Sequence, residues 1–219
     1  GFLKSFHSIG RESYGTIFFP ISYLLLALLF WDYSNHITIS FLILAIADPL
    51  ASIIGENVKS KISFNILGDD KTLQGSIAMF VCSLVIILIL PNHFFNNWDM
   101  NHKLMAAIII SIAVTIAEAV SYKGSDNLSI PITSFLFIEL LHHLDRNQLG
   151  FDYIIYNLII ILILFVAYLR RYLSVSGLVG AITMAIFILG FGGNNYLYPL
   201  VIFFITSSAL SFLQKENIN

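Results

Sequence analysis

Two acidic residues lie inside stretches of the sequence that are otherwise apolar. Asp48 is followed by Pro49 in the run Leu42–Glu56, "LILAIADPLASIIGE", and Glu118 closes a second run. A carboxylate within a membrane helix is costly, so it is by default a functional candidate whose partner has to be found. Pro49 lacks an N–H group and clashes with the carbonyl four residues earlier, which predicts a broken helix lining a cavity at Asp48.

The broken helix would present an anion site. A helix that restarts at Pro49 aims its free N–H groups and positive dipole end into the cavity, and this arrangement suits phosphate. Ser52 and Gly55 follow Asp48 by four and seven residues, so they share its helix face. The alternative interpretation is a simple proline kink, with Asp48 bonded to a neighbouring helix.

A polar segment, residues 55–76, follows the Asp48 helix. Its end reads "GDDKTLQGS", in which Lys71 could pair with phosphate oxygens and Gly75 would permit close backbone approach. Thr72 and Ser76 add two hydroxyl groups. No Walker-type glycine-rich loop occurs anywhere in the sequence. Taken alone, "GDDK" is more typical of a solvated turn and a helix cap than of a phosphate site.

A second polar segment, residues 121–131, follows Glu118 and reads "SYKGSDNLSIP". Asp126 and Asn127 supply carboxylate and amide oxygens, the ligand type that Mg²⁺ prefers. The alternative is that Ser125 or Asp126 caps a helix beginning near Pro131. Both buried acids lie about 7–10 Å along a helix from these segments, which predicts one shared site.

The elements that would hold this site are membrane helices. Of the 219 residues, 58% are hydrophobic and 11% are charged, against about 25% charged in soluble domains. We therefore predict an all-α, polytopic integral membrane helical bundle with about eight transmembrane segments. No basic cluster indicates nucleic acid, and the single Cys82 excludes a disulfide within the chain. The eight apolar segments are roughly Thr16–Trp31, Ile37–Ile54, Ser76–Leu90, Leu104–Ser121, Pro131–His142, Tyr153–Leu169, Val175–Gly192 and Tyr196–Leu213.

The distribution of Lys and Arg predicts the orientation. If the N-terminus is cytoplasmic and all eight segments cross, nine of the eleven basic residues lie on the cytoplasmic side. The other two, Lys103 and Arg146, fall in external loops. A multi-pass protein with its N-terminus and both polar segments in the cytoplasm is the prediction. His142, His143 and Asp145 would lie on the external side, where we do not expect them to bind a metal.

Four motifs occur in an order and at separations that resemble a known family. They are "GRESYGTIFFP" from Gly10, "ADPLASIIGE" from Ala47, "KTLQGSIAMF" from Lys71 and "AEAVSYKGSDNLSIPI" from Ala117. Together they resemble the membrane lipid kinases, which include dolichol kinase, phytol kinase and CTP-dependent diacylglycerol kinase and are related to phosphatidate cytidylyltransferases. The resemblance covers roughly residues 10–140.

The resemblance implies phosphoryl transfer from a nucleoside triphosphate, typically CTP, to the hydroxyl group of a membrane lipid, with Mg²⁺ or another divalent cation. It matches six residues to the family's polar motif positions: Asp48, Lys71, Gly75, Glu118, Asp126 and Asn127. Our hypothesis is that Asp48 and Asp126 bind the metal and that Glu118 or Asp48 is the general base. Two residues depart from the family's usual pattern, which often has Glu in place of Gln74 and a basic residue in place of Glu56. Both departures bear on the choice of nucleotide. The residues assigned to nucleotide binding are Ser52, Gly55, Lys71, Thr72, Gly75, Ser76 and Asn127.

The C-terminal part has a different character. We divide the chain into a lipid-kinase-like domain, residues 1–150, and C-terminal membrane helices, residues 151–219. From Leu173 onward the sequence resembles the start of a second integral-membrane family of unknown function, and we expect the chain to be a fragment. This stretch carries no acidic residue between Leu173 and Gln214.

The resulting hypothesis is a lipid-alcohol kinase acting on a polyprenol, a phytol-like alcohol or diacylglycerol. Three alternatives remain open: CDP-lipid synthesis of the phosphatidate cytidylyltransferase type, an ion-coupled transporter without enzymatic activity, and an inactive kinase-like unit that serves as a membrane scaffold. The expected partners are a membrane lipid alcohol, a nucleoside triphosphate and the lipid bilayer. Association into a homo-oligomer is left open.

Overall fold

The computed structural model describes residues 13–58, 61–66, 68–90, 99–146, 151–193, 195–203 and 206. These residues are mostly helical, and the chain divides into two compact units, Gly1–Glu139 and Leu140–Asn219. Several predictions fall outside the described part of the chain: the start of the first motif, most of the external loop before Asp99 and the end of the last apolar segment.

The first unit contains the helices that the apolar runs predict. In chain order they are α1 (Gly15–Phe30), α2 (Ser34–Leu42), α3 (Asp48–Asn57), α4 (Leu73–Ile89), α5 (Met100–Ala119) and α6 (Asp126–Arg146). Helix α6 continues past Glu139, the last residue of this unit. Buried side chains on α4 and α5 form much of the interior, and their outward faces carry exposed Ile and Val, as expected for helices that face lipid.

The helix around Asp48 is continuous, so the prediction of non-helical backbone at this point was wrong. Asp48 has helical dihedrals, φ −64° and ψ −50°. Instead, a π-helical turn, Ile43–Ala47, joins α2 to α3 directly before it. Pro49 occupies the first turn of α3, where a missing N–H is tolerated. The wider turn absorbs the steric conflict that Pro49 would create in a regular α-helix.

A short β-hairpin precedes α4 and is an addition to the mainly helical fold that the sequence predicts. Strands β1 (Ser63–Asn65) and β2 (Asp70–Thr72) pair in antiparallel fashion, with Ser63 opposite Thr72. The Asn65 side chain closes the turn, because it accepts from the Gly68 N–H group and donates to Asp70. Each strand has only three residues, too few to show an alternating pattern in the sequence.

Helix α6 begins at Asp126, five residues before the start near Pro131 that we considered in the capping interpretation. Pro131 therefore lies inside the helix, where it cannot donate to the carbonyl of Asn127. The fully buried Ser22 of α1 supplies the missing donor, since its hydroxyl lies 2.9 Å from that carbonyl oxygen. This contact fixes α1 against the first turn of α6.

Two further polar contacts join neighbouring helices. Lys103, which we placed in an external loop, lies in the first turn of α5 and is 3% exposed. Its amine donates to the carbonyls of Leu88 and Leu90 at the end of α4. His36 on α2 is bonded to Glu139 on α6. Both contacts satisfy polar groups that would otherwise be costly in an apolar interior.

The second unit contains α7 (Phe151–Leu169) and α8 (Val175–Phe187), followed by a π-helical turn, Ile188–Gly192. Ser174 caps α8 by accepting from the Gly177 N–H group at 3.1 Å. The Tyr153 hydroxyl of α7 donates to the Ile186 carbonyl of α8, which joins the two helices. Residues 195–203 are also helical.

Length and composition are consistent with a membrane location. Two of the described helical stretches are long and apolar enough to cross a bilayer: the continuous α1–α3 region, Gly15–Asn57, and α5, Met100–Ala119. The first of these is a helical hairpin, since Tyr23 of α1 stacks edge-to-face on Phe41 of α2 at 5.4 Å. The total of about eight crossings stays a prediction.

Candidate active site

One cavity of about 850 Å³ collects the polar residues at one end of the first unit. Ligand sites typically have volumes of about 300–1,000 Å³. Nine of the ten site residues predicted from the sequence line this cavity: Asp48, Ser52, Gly55, Lys71, Thr72, Gly75, Glu118, Asp126 and Asn127. Ser76 does not line it, and its buried hydroxyl has no hydrogen-bond partner among the described residues.

Lys71 lies between two of the acids that we predicted. Its amine donates to Glu118 Oε1 at 2.7 Å and lies 3.7 Å from Asp126 Oδ2. The Lys71 and Glu118 side chains are 16% and 10% exposed, so this is a largely desolvated pair. The second oxygen of Glu118 is buried and has no hydrogen-bond partner in the described part of the chain. An unsatisfied carboxylate oxygen here indicates that the cavity is shaped for a further donor or cation.

Asp126 and Asn127 form the first turn of α6. Asp126 Oδ1 accepts from the Asn127 backbone N–H at 3.0 Å, so one oxygen supports the helix start while Oδ2 faces Lys71. Asp126 is therefore the first residue of α6, and its functional role stays a prediction. The preceding Lys123 and Gly124 both have positive φ, 49° and 85°, and form the tight turn that presents this pair.

The start of α1 packs directly on this turn. The Tyr14 N–H donates to the Lys123 carbonyl at 2.9 Å, and a Cβ on Gly124 would lie 2.6 Å from the Gly15 nitrogen. Ser13, which the sequence reasoning missed, lines the cavity and accepts from the Gly15 N–H group. Its position inside the first motif, three residues before the apolar run that begins at Thr16, is the signal that could have identified it.

Asp69 joins the two polar segments. Its carboxylate accepts from the Lys123 backbone N–H at 2.8 Å, across 54 residues of sequence. The adjacent Gly68 packs on the Tyr122 ring, where a Cβ would lie 2.8 Å from the nearest ring carbon. We had read this part of the sequence as a candidate solvated turn. Instead, it ties the hairpin to the loop before α6, so both segments border the same cavity.

Gly55 and Gly75 have a packing role that the sequence did not reveal. A Cβ on Gly55 would lie 2.5 Å from the Thr72 hydroxyl, and one on Gly75 would lie 3.1 Å from the Ala51 carbonyl. The space beside Gly75, through which we predicted that a phosphate could approach the backbone, is therefore occupied by α3. Thr72 is the N-cap of α4 and accepts from the Gly75 N–H at 3.1 Å. These residues bring α3 and α4 close enough to share the cavity wall.

The described side chains do not complete a divalent-cation site by themselves, so a bound ligand would have to supply further oxygen atoms. Within the described ranges, no group of three His, Cys, Asp or Glu side chains could hold a metal ion unaided. Mg²⁺, however, is usually bound through one or two carboxylates together with phosphate oxygens and water. Asp48 and Asp126 line one cavity and satisfy this smaller requirement.

Comparison with known proteins finds partial matches to phytol kinases. The chain is 30% identical over 136 residues to the phytol kinase of Synechocystis sp., an alignment that covers 61% of this chain and 57% of that protein. It is 28% identical over 131 residues to phytol kinase 1 of Arabidopsis thaliana, covering 56% of this chain and 41% of that protein. Over these residues the chain is similar to phytol kinases, which belong to the group that the four motifs resemble.

The match to these lipid kinases is partial, since the chain spans about half the length of the curated relatives. The chain is also 31% identical over 121 residues to the uncharacterized protein RP860 of Rickettsia prowazekii, covering 54% of each. Residues 158–219 match the family described as integral membrane protein DUF92. Together with the apolar helices, this match supports an integral membrane location. No solved structure matches the chain.

Proposed function

We propose that this chain is a lipid-alcohol kinase that transfers the terminal phosphoryl group of a nucleoside triphosphate, with CTP as the first candidate donor. The single observation that carries the proposal is the composition of the 850 Å³ cavity. It combines three lysines with six acidic residues, and three of these acids, Asp48, Glu118 and Asp126, lie at the ends of apolar helices. The phytol kinase relatives support an alcohol acceptor of the phytol or polyprenol type, with diacylglycerol as a further candidate.

The cavity is suited to bind a triphosphate. Lys61, Lys71 and Lys123 line it, and α1, α4 and α6 begin at its wall. Backbone N–H groups and the positive dipole end of a helix favour bound anions, and three such ends reinforce the lysines. Phosphoryl transfer depends mainly on positioning and charge stabilisation, which this arrangement would supply.

The ion pair of Lys71 supports the following roles in the proposed reaction. When phosphates enter, the Lys71 amine can turn from Glu118 to the phosphate oxygens, which frees the carboxylate. Glu118 then accepts the proton of the lipid hydroxyl as the new oxygen–phosphorus bond forms. The bond between the γ-phosphorus and the bridging oxygen breaks, and a nucleoside diphosphate leaves. Asp48 and Asp126 would hold Mg²⁺, which would neutralise charge on the phosphates.

The orientation belongs to the same proposal. Lys and Arg are more frequent in the predicted cytoplasmic segments, which include those that border the cavity, than in the predicted external loops. This difference supports a cytoplasmic site, where nucleotides are available. The lipid alcohol would approach laterally, with its hydrocarbon chain remaining in the bilayer.

The test is transfer of radiolabel from γ-labelled CTP or ATP to phytol, a polyprenol or diacylglycerol by the purified chain in lipid nanodiscs. A kinase places the label in the lipid, whereas a cytidylyltransferase supplied with phosphatidate releases it as pyrophosphate. We expect Asp126→Asn to lower lipid labelling at least about a hundredfold, because a metal ligand and a lysine partner are lost together. Asp32→Asn, an exposed acid that does not line the cavity, is the control. Absence of label in any lipid would contradict the proposal, and full activity of Asp126→Asn would remove that residue from the metal site.

A further inference from the structure

Lys123 has a backbone conformation that lysine rarely adopts. Its φ is 49°, and that of the next residue, Gly124, is 85°. The Ser125 N–H donates to the Tyr122 carbonyl at 3.0 Å. Two successive positive φ angles closed by such a hydrogen bond are features of a type I′ turn, whose central positions favour Gly, Asn and Asp. A residue with a long side chain is strained there, so the chain keeps a lysine where Gly or Asn would avoid the strain.

The backbone of Lys123 is held from two sides. Its N–H donates to the Asp69 carboxylate at 2.8 Å, and its carbonyl accepts from the Tyr14 N–H at 2.9 Å. Asp69 directly precedes β2 and Tyr14 directly precedes α1, so two separate elements hold this one residue. Both contacts use only backbone atoms of Lys123. They fix the left-handed conformation, but they do not explain why the side chain is that of lysine.

The Lys123 side chain is half-buried and lines the 850 Å³ cavity. Its amine lies 5.3 Å from the centroid of the Tyr122 ring, within the range of a cation–π contact. The ring in turn packs against Gly68 of the hairpin, where a Cβ would lie 2.8 Å from a ring carbon. The hairpin therefore supports the ring, and the ring supports the amine at the cavity wall. A cation–π contact leaves the N–H groups of an ammonium able to donate to an anion.

The other lysines that line the cavity are placed differently. The Lys71 amine bonds Glu118 and approaches Asp126, so acids of the protein balance its charge. Lys61 is exposed and precedes β1. Lys123 differs from both, because a strained turn held by two elements presents its ammonium group to the cavity. A binding group that is fixed in advance loses little conformational freedom when its ligand arrives.

We infer that Lys123 is a phosphate-binding residue, and that the strained turn is retained because it places this ammonium group in the cavity. The ligand is a phosphate group of the nucleoside triphosphate. The inference deepens the proposed function, on which it rests for the nucleotide as the source of that phosphate. It gives two lysines different roles: Lys71 exchanges a carboxylate for phosphate during the reaction, whereas Lys123 holds phosphate throughout.

The test measures phosphate binding and stability in the same variants. Lys123→Asn removes the ammonium group, keeps both backbone contacts and places a residue that tolerates positive φ. In a maltoside detergent, which contains no phosphate, calorimetric titration should show at least about tenfold weaker binding of tripolyphosphate and of CTP. The thermal unfolding midpoint should be unchanged or higher by about 2 °C. Lys123→Arg keeps the charge and should recover most of the affinity, and Lys123→Gly is the second variant if Lys123→Asn does not fold.

Arg171 provides a matched control. It is the second residue other than glycine with a positive φ in the described part of the chain, 62°, and it does not line the cavity. It directly follows α7, where a left-handed residue commonly ends a helix. Arg171→Asn also removes one positive charge and relieves the same kind of strain, so it should not lower the midpoint and should leave both affinities unchanged. An equal loss of affinity in Arg171→Asn and Lys123→Asn would overturn the inference, because net charge alone would then explain it.

The remaining outcomes separate this inference from its rivals. If Lys123→Asn unfolds at a lower temperature and binds tripolyphosphate as tightly as the unchanged chain, the lysine serves the fold through Tyr122 and the inference is wrong. Phosphatidic acid in the same detergent tests a lipid headgroup as the source. Binding of phosphatidic acid that depends on Lys123, without such binding of tripolyphosphate or CTP, would also overturn the inference. Binding of tripolyphosphate that depends on Lys123, without phosphorylation of any lipid alcohol, would support the inference and contradict the kinase proposal.

Discussion

Lys71 holds together the acids of the candidate site. Its amine bonds Glu118 at 2.7 Å and approaches Asp126, which belongs to a different helix. Three carboxylates cannot share a desolvated cavity without a cation, because their mutual repulsion and lost hydration are both unfavourable. Lys71 supplies that cation within the protein, and a nucleotide with its metal would supply another on binding.

We expect Lys71→Gln to impair both stability and activity. Loss of one member of a largely buried ion pair leaves Glu118 unpaired, which should lower the free energy of unfolding by about 3–5 kcal/mol. The double variant Lys71→Gln/Glu118→Gln should recover most of that stability but no lipid kinase activity, because both charges needed for transfer are absent. Thermal unfolding in detergent and the γ-label assay measure the two effects. A double variant as unstable as Lys71→Gln alone would show that the pair is not coupled.

The sequence identified most residues of the site but not their mutual contacts. Asp48 and Glu118 were recognisable because carboxylates are rare in apolar runs, and Asp126 because it stands beside Asn127 in a polar turn. The Lys71–Glu118 pair joins residues 47 positions apart, and neither hydropathy nor helical periodicity reports such a separation. Asp69 was missed for the same reason, since its partner, the Lys123 N–H group, is 54 residues away.

At the scale of elements, two proline-containing helices shape the site by different means. Pro49 is accommodated by the π-helical turn Ile43–Ala47, and Pro131 by a hydrogen bond from Ser22 to the Asn127 carbonyl. The positions of the helices followed from the apolar runs, but these two adjustments depend on local backbone geometry and on a tertiary partner. A proline in an apolar run therefore predicts an irregularity without giving its form.

The contact between Ser22 and Asn127 can be tested by a double-mutant cycle. Ser22→Ala leaves the Asn127 carbonyl without its donor, so we expect the free energy of unfolding to fall by about 1–3 kcal/mol. Pro131→Ala restores a backbone N–H that can reach the same carbonyl. Ser22→Ala should therefore cost less in the Pro131→Ala background, as measured by denaturant or thermal unfolding. Strictly additive effects of the two substitutions would contradict the contact.

At the scale of the whole chain, the site and the DUF92 match fall in different units. The residues lining the 850 Å³ cavity all belong to Gly1–Glu139, whereas residues 158–219 lie within Leu140–Asn219. The prediction of a separate C-terminal domain from residue 151 is compatible with this division but stays a prediction. The chemistry that we propose is therefore built from the first unit.

The arrangement of the first unit predicts which segments face the two sides of the membrane. The β-hairpin at the cavity and the turn between α1 and α2 lie at opposite ends of α1, a helix of 16 residues or about 24 Å. In a Cys82→Ser background, a membrane-impermeant maleimide should label Asp32→Cys in intact cells, and Ser63→Cys only after the membrane is opened. This result follows if α1 crosses the bilayer with the cavity in the cytoplasm. Labelling of both cysteines in intact cells would contradict the crossing, and the reverse pattern would place the cavity outside, away from the nucleotide that the proposed reaction requires.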